Sequence, residues 1–210
     1  MSLRDLAEMF LERGLVFTYE AIREWERRFA PLIAEQLRTK RRGQAGRSWY
    51  VDETYVRVKG KWCYLYRTID ADGHLVDSRL SEKRDLEAAQ QFFRQALAVV
   101  GSAPEKVTTD GHASYPRAVR EILGSTVQHQ TNKYLNNRLE QDHRGIKQRY
   151  YPMHGFGSFV SATRFCSAFD ELRNYLHPRC TTGKPASRAE QRQAFLDRLA
   201  ALKASIQVPF

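Results

Sequence analysis

At 210 residues, 42% of them hydrophobic, the chain can form one domain with a real core plus a small appendage. Its 34 Lys and Arg against 24 Asp and Glu give a formal net charge of +10, which favours a polyanionic partner. Three cysteines without a C-x-x-C pair disfavour zinc and disulfide frameworks and fit a reducing cytoplasm. No apolar run approaches a membrane span, and the charged opening SLRDLAEMFLERG is unlike a signal peptide.

Leu3, Leu6 and Phe10 fall at helical spacing, and Gly14 closes that first helix. Thr18 can cap a second helix with an inner face of Ile22, Trp25 and Phe29, which Pro31 is expected to stop. Helix, short glycine turn, helix is the helix-turn-helix outline, although any αα-hairpin shares it. The basic stretch Arg38, Lys40, Arg41, Arg42 and Arg47 contains two glycines and no acid. It reads as a mobile linker at a domain boundary, either merely solvated or in contact with phosphates.

WYVDETYVRVKGKWCYLYRTI, from Trp49 to Ile69, reads as two β-strands folded about Lys59-Gly60-Lys61. Alternation puts Trp49, Val51, Glu53 and Tyr55 on one face and Tyr50, Asp52, Thr54, Val56 and Val58 on the other. Asp52 thus sits among apolar and β-branched neighbours, where an ionised carboxylate is costly unless a cation partners it; the alternative is an edge Asp facing solvent. Asp72-Gly73 turns into a third strand, His74 to Leu80. Asp85 caps a helix with an apolar stripe of Ala89, Phe92, Phe93, Ala96, Leu97 and Val100, ended by Gly101.

A short strand from Lys106 to Thr109 runs into Asp110-Gly111, and a brief helix from Pro116 to Leu123 leads to a last strand, Thr126 to Gln130. A polar helix spans Asn137 to Tyr150. It carries Glu140, Arg144 and Lys147 at i, i+4 and i+7 on one face, with Leu139 and Ile146 facing the sheet. The plain reading of Glu140 is a helix salt bridge to Arg144, worth only tenths of a kcal/mol. After the loop YYPMHGFGSF, Phe159 to Leu176 forms another core-facing helix, and the basic tail from Arg179 holds a peripheral helix, Ala189 to Ile206. This order predicts an α/β (α+β) mixed sheet with helices packed on it. Asp110, at a strand end, is well placed for a site.

WYVDETYVRVKGKWCYLYRTID, TTDGHASYPRAV and NNRLEQDHRGIKQRY resemble the three catalytic motifs of a DDE transposase, closest to the insertion-sequence-six family of bacterial and archaeal mobile elements. The likeness runs from about Ser2 to Leu176. FLERG and IREWERRFAP likewise resemble that family's helix-turn-helix. It implies a ribonuclease-H-like core at 48–178, a partial helix-turn-helix domain at 1–37, a linker at 38–47 and a basic tail at 179–210. It also implies Asp52, Asp110 and Glu140 as ligands of two Mg²⁺ (or Mn²⁺) ions. Lys147 would touch DNA near the cleaved phosphate, with Arg144 and the basic stretch as further DNA contacts.

The implied activity is cleavage and strand transfer of DNA at an insertion sequence's ends, by a cytoplasmic, nucleoid-associated protein acting as at least a dimer. The rivals are an incompetent DNA-binding fragment acting as a repressor and a ribonuclease-H-like nuclease. The family usually opens with one further helix that this sequence lacks, so a misplaced start or a truncated gene is expected. The interval from Asp110 to Glu140 is also short, as a trimmed loop after Leu123 would make it.

Overall fold

The computed structural model describes residues 3–132, 137–176 and 187–205; within them, the side chains at 137, 138 and 140–142 are outside the description. Helices α1 (Leu3–Leu11) and α2 (Tyr19–Lys40) pack through a chain of rings. Phe10 meets Phe17 at 5.4 Å and Phe17 meets Trp25 at 4.7 Å, both edge-on. Thr18 caps α2 as its sequence suggests, its hydroxyl accepting the Ala21 N–H at 3.2 Å.

Pro31 does not stop α2, which continues through it for nine residues to Lys40. A mid-helix proline forfeits one backbone bond, but Ala34 and Leu37 beyond it are buried where α2 packs along α6 (Phe159–Leu176). That burial outweighs local propensity.

The expected mobile linker is also corrected, because Arg38 and Lys40 belong to α2 and the segment after it is tied to the sheet. Arg41 donates two bonds to Glu171, at 2.7 and 2.5 Å, and one to the Val76 carbonyl. Arg38 donates to Asp77 at 2.9 Å, and Gly46 N–H to Asp70 at 3.0 Å. Charge density suggested solvation, but acids far along the chain draw these arginines inward.

The sheet has five strands in the order β3-β2-β1-β4-β5. Strands β1 (Ser48–Val58), β2 (Lys61–Asp70) and β3 (Leu75–Ser81) form an antiparallel meander; β4 (Lys106–Thr109) and β5 (Gln128–Thr131) run parallel to β1. Lys59 and Gly60, at φ 48° and 78°, make the tight β1–β2 turn, the left-handed pair that a two-residue hairpin needs.

One face of the sheet is covered by α3 (Leu86–Val100) and α4 (Ser114–Ala118), which widens into a π-helical turn at Val119–Leu123. Trp49, Val51, Tyr66, Phe92, Phe93 and Tyr115 form the core there. Truncating either phenylalanine would cost ~3–5 kcal/mol. The other face carries α5 (Asn137–Tyr150) and α6, packed on Val56, Val58, Leu65 and Leu80 through Ile146, Tyr150, Ala162 and Cys166. The alternation expected for β1 therefore holds, with an apolar layer on each side.

A fully buried ion pair, Arg67 to Asp170 at 2.7 Å, pins α6 to the centre of β2. Breaking one partner of such a pair costs ~3–5 kcal/mol. Helix α7 (Arg188–Ser205) docks on α6, burying Leu202, with Arg198 donating to the Tyr175 carbonyl at 2.6 Å. The tail at 179–186 lies outside the described residues.

Candidate active site

The site arises where β4 ends beside β1. The two strands pair only from Ser48 to Tyr50, and β4 stops at Thr109 while β1 runs on to Val58. Among the described residues no strand pairs this edge of β1 from Val51 until Val58 bridges Phe156, and Asp110 follows directly from the end of β4. Gly111 allows the chain to turn away there: its φ is 92°, and a Cβ would lie 2.6 Å from the Thr131 methyl. The Asp110 carboxylate is then oriented by the His112 N–H at 2.9 Å.

Carboxylate oxygens of Asp52, Glu53 and Asp110 lie within 4.8 Å of one another. Hard, closely spaced oxygen donors are the set that a divalent cation of the Mg²⁺ type requires, so this group could hold a metal ion. A second acidic cluster, Asp70, Asp72 and His74, is accounted for by turn chemistry. Asp70 accepts the backbone N–H groups of Asp72, His74 and Gly46.

The three acids are treated differently by their surroundings. The Asp52 side chain is 18% exposed, accepts the Glu53 N–H at 2.9 Å and lies 3.9 Å from Nδ1 of His143 on α5. Burial raises its pKa to about 7, with repulsion from Glu53 and Asp110 adding to the shift; the Glu53 N–H and Arg84 oppose it.

Glu53, on the opposite face of β1, is 3% exposed and bound by Arg84 through two bonds, at 3.1 and 3.2 Å. The same guanidinium donates to Asp110 at 2.8 Å. Burial works against the Arg84 charge, but its bonds to Glu53 and the pull of Asp110 outweigh that and raise its pKa. Tyr115 lies near Glu53, and burial first, then this carboxylate, raises its pKa well above the ordinary phenol value.

The sequence missed Glu53, Arg84 and His143. Alternation had put Glu53 beside Trp49 and Val51, and an acid on that face needs a cation as much as Asp52 does. His143 lies four residues after Leu139 and three before Ile146, on the face α5 turns to the sheet, where all three are buried. Arg84 follows Lys83 just before a helix cap and carries no sequence signal of its own.

Glu140 lies on α5, but its side chain is outside the described residues. Farther along α5, Arg144 is exposed and Lys147 half-buried; Arg144 lines an α5–α6 cleft of about 500 Å³ with Arg149 and Arg173. Of the basic stretch, Lys40, Arg42 and Arg47 are exposed, the last paired with Glu105 at 3.0 Å. Arg41, 11% exposed, and Arg38 are engaged with Glu171 and Asp77, which gives both a structural role.

No helix among the described residues is long and apolar enough to cross a membrane. The family model for the DDE domain of IS240-type transposases matches residues 46–178. The Staphylococcus aureus transposase for the insertion sequence-like element IS431mec is 39% identical over 153 residues, covering 71% of this chain and 67% of that protein. The Staphylococcus aureus transposase for IS257 in transposon Tn4003 matches with the same identity and coverage. The chain thus spans about two thirds of the length of these curated relatives.

Among solved structures, the trimeric HTLV-2 integrase catalytic core domain in complex with magnesium superposes with a TM-score of 0.50 at 17% identity. That match covers 71% of this chain and 98% of that one, and bears out the expected ribonuclease-H-like fold. Matched over more than half its length, the chain belongs to the DDE transposases of the insertion-sequence-six family, enzymes of the polynucleotidyl-transferase type.

Proposed function

We propose that Asp52, Asp110 and Glu140 are the acidic triad of a transposase that cleaves DNA at the ends of an insertion sequence and joins the freed 3′-OH to target DNA. The carrying observation is the approach of Asp52 and Asp110 oxygens to within 4.8 Å at the open edge beside the end of β4. His143, 3.9 Å from Asp52, supports the third member, since it lies three residues, about one helical turn, beyond Glu140 on α5. Two Mg²⁺ or Mn²⁺ ions held by these carboxylates would activate the attacking water or 3′-hydroxyl and stabilise the leaving oxygen.

The chain's own contribution is position and charge. The open edge of β1 gives a DNA backbone access to Asp52. The His112 N–H and Arg84 hold Asp110 in one orientation. Arg144 and Lys147, about one and two turns past Glu140, offer cations to the phosphates flanking the cut. Lys40, Arg42 and Arg47 extend that contact to the rest of the duplex, and the α1–α2 unit within residues 1–37 acts as a partial helix-turn-helix. Two copies acting together would hold a pair of element ends.

The test is strand cleavage and strand transfer on labelled DNA carrying terminal inverted repeats, in Mg²⁺ and in Mn²⁺. Asp52→Asn, Asp110→Asn and Glu140→Gln should each abolish both steps while DNA binding persists. Cleavage that survives Glu140→Gln would refute the assignment, and wild-type binding without cleavage would favour a DNA-binding repressor.

A further inference from the structure

The β1–β2 ladder has one face whose two ends differ. Trp49, Val51 and Tyr66 lie buried beneath α3 and its neighbours, but farther along the helices stop and aromatic side chains emerge. Tyr55 is 49% exposed and Trp62 55% exposed. They meet edge-on at 6.2 Å, and Tyr64 lies 5.5 Å from Tyr55 across the strands. The Arg57 guanidinium is 6.0 Å from the centre of the Trp62 ring. From Thr54 to Tyr66 the chain carries Arg57, Lys59 and Lys61 and no acid, and all three cations are exposed.

The hairpin end is also fixed in place. The Lys59 N–H donates to the Phe156 carbonyl at 2.8 Å, the Phe156 N–H returns to the Arg57 carbonyl at 2.9 Å, and the Arg57 N–H donates to the Tyr150 hydroxyl at 2.5 Å. Exposed rings held rigidly amid cations match a polyanion that has free aromatic faces. Duplex DNA supplies the phosphates but keeps its bases stacked on one another. A protein partner burying the rings would have to desolvate three cations. An unpaired nucleic-acid strand offers both phosphates and free base faces.

We propose that Tyr55, Trp62 and Tyr64, with Arg57, Lys59 and Lys61, form a stacking platform for the bases of an unpaired DNA strand. Tyr55 lies three residues along β1 from Asp52, about 10 Å at the strand rise and on the other face of the sheet, so the platform is separate from the carboxylates. This inference rests on the DNA-cleavage reading for its biological role, but its binding test does not.

The test compares wild type, Tyr55→Ala, Trp62→Ala and Trp62→Phe in binding a short labelled oligothymidylate and a duplex of equal length, by anisotropy and tryptophan quenching. Trp62→Ala should weaken oligothymidylate binding roughly five- to hundred-fold and duplex binding less than about two-fold, whereas Trp62→Phe should keep most of the affinity. An unchanged melting temperature for these surface variants excludes misfolding. Equal loss on both probes, or no loss on the single strand, overturns the proposal. So does sedimentation in which Trp62→Ala dissociates a dimer without affecting oligothymidylate, because the face is then a subunit interface. Failure of wild type to cleave DNA, with the single-strand effect intact, counts against the cleavage reading and leaves the platform standing.

Discussion

Replacing Asp52 by Asn should stabilise the protein in chelator at neutral pH, by an amount that depends on pH in a defined way. Burial raises the Asp52 pKa from 3.8 to about 7. At about 1.4 kcal/mol per unit, keeping this carboxylate ionised in the fold costs about 4 kcal/mol. The sign follows from proton counting: between these two pKa values the folded state holds a proton that the unfolded state has released. Stability therefore falls as pH rises through that window, and is flat above it.

Asn keeps the shape and the acceptor for the Glu53 N–H but adds a half-buried amide, costing about 1 kcal/mol. The net gain is about 2–3 kcal/mol near pH 8, or roughly 4–12 °C in Tm for a chain of this size. Thermal melts of both proteins across the pH range should show a difference near zero around pH 4 that grows to a plateau above about pH 7. In millimolar Mg²⁺ or Mn²⁺ the order should reverse, since the variant lacks one of the proposed ligands. A difference independent of pH, or a variant less stable than wild type near neutrality in chelator, would refute the reasoning.

Arg84→Ala strands the buried Glu53 carboxylate and should cost ~3–5 kcal/mol in denaturant unfolding, with Glu53→Gln in the same chain recovering much of it. Replacing Arg42 and Arg47 by Ala should lower the slope of log K against log salt for DNA by roughly 0.9 for each phosphate no longer neutralised. Arg41→Ala should leave that slope unchanged and reduce stability by ~3–5 kcal/mol instead. Lys147→Ala should reduce strand transfer more than overall binding, measured on the same labelled ends.

The layers of this fold are readable from the sequence because they rest on local rules. Alternation along β1 assigns its two faces, Lys59-Gly60 sets the hairpin, and Asp85 and Gly101 mark the ends of α3. What the sequence hides depends on partners far apart along the chain. Nothing near Pro31 says that Ala34 and Leu37 will find α6, so the helix is cut short when read alone. Nothing near Arg41 points to Glu171, 130 residues away, so a buried anchor reads as a solvated linker. Arg84 is the same case within the site: its partners Glu53 and Asp110 come from two other elements.

The adjacent acids of β1 show why one of them is left costly. Glu53 and Asp52 point to opposite faces, and both are largely removed from water. Glu53 receives two bonds from a guanidinium, which offsets its desolvation and makes it part of the scaffold. Asp52 receives one backbone N–H, a histidine at 3.9 Å and the repulsion of two neighbouring carboxylates. A fold selected for stability alone would gain by making Asp52 neutral, and a fixed cation like Arg84 would cancel its charge permanently. Leaving that charge without a fixed cation of its own keeps it available for one that comes and goes, as the metal ions of the proposed DNA chemistry would.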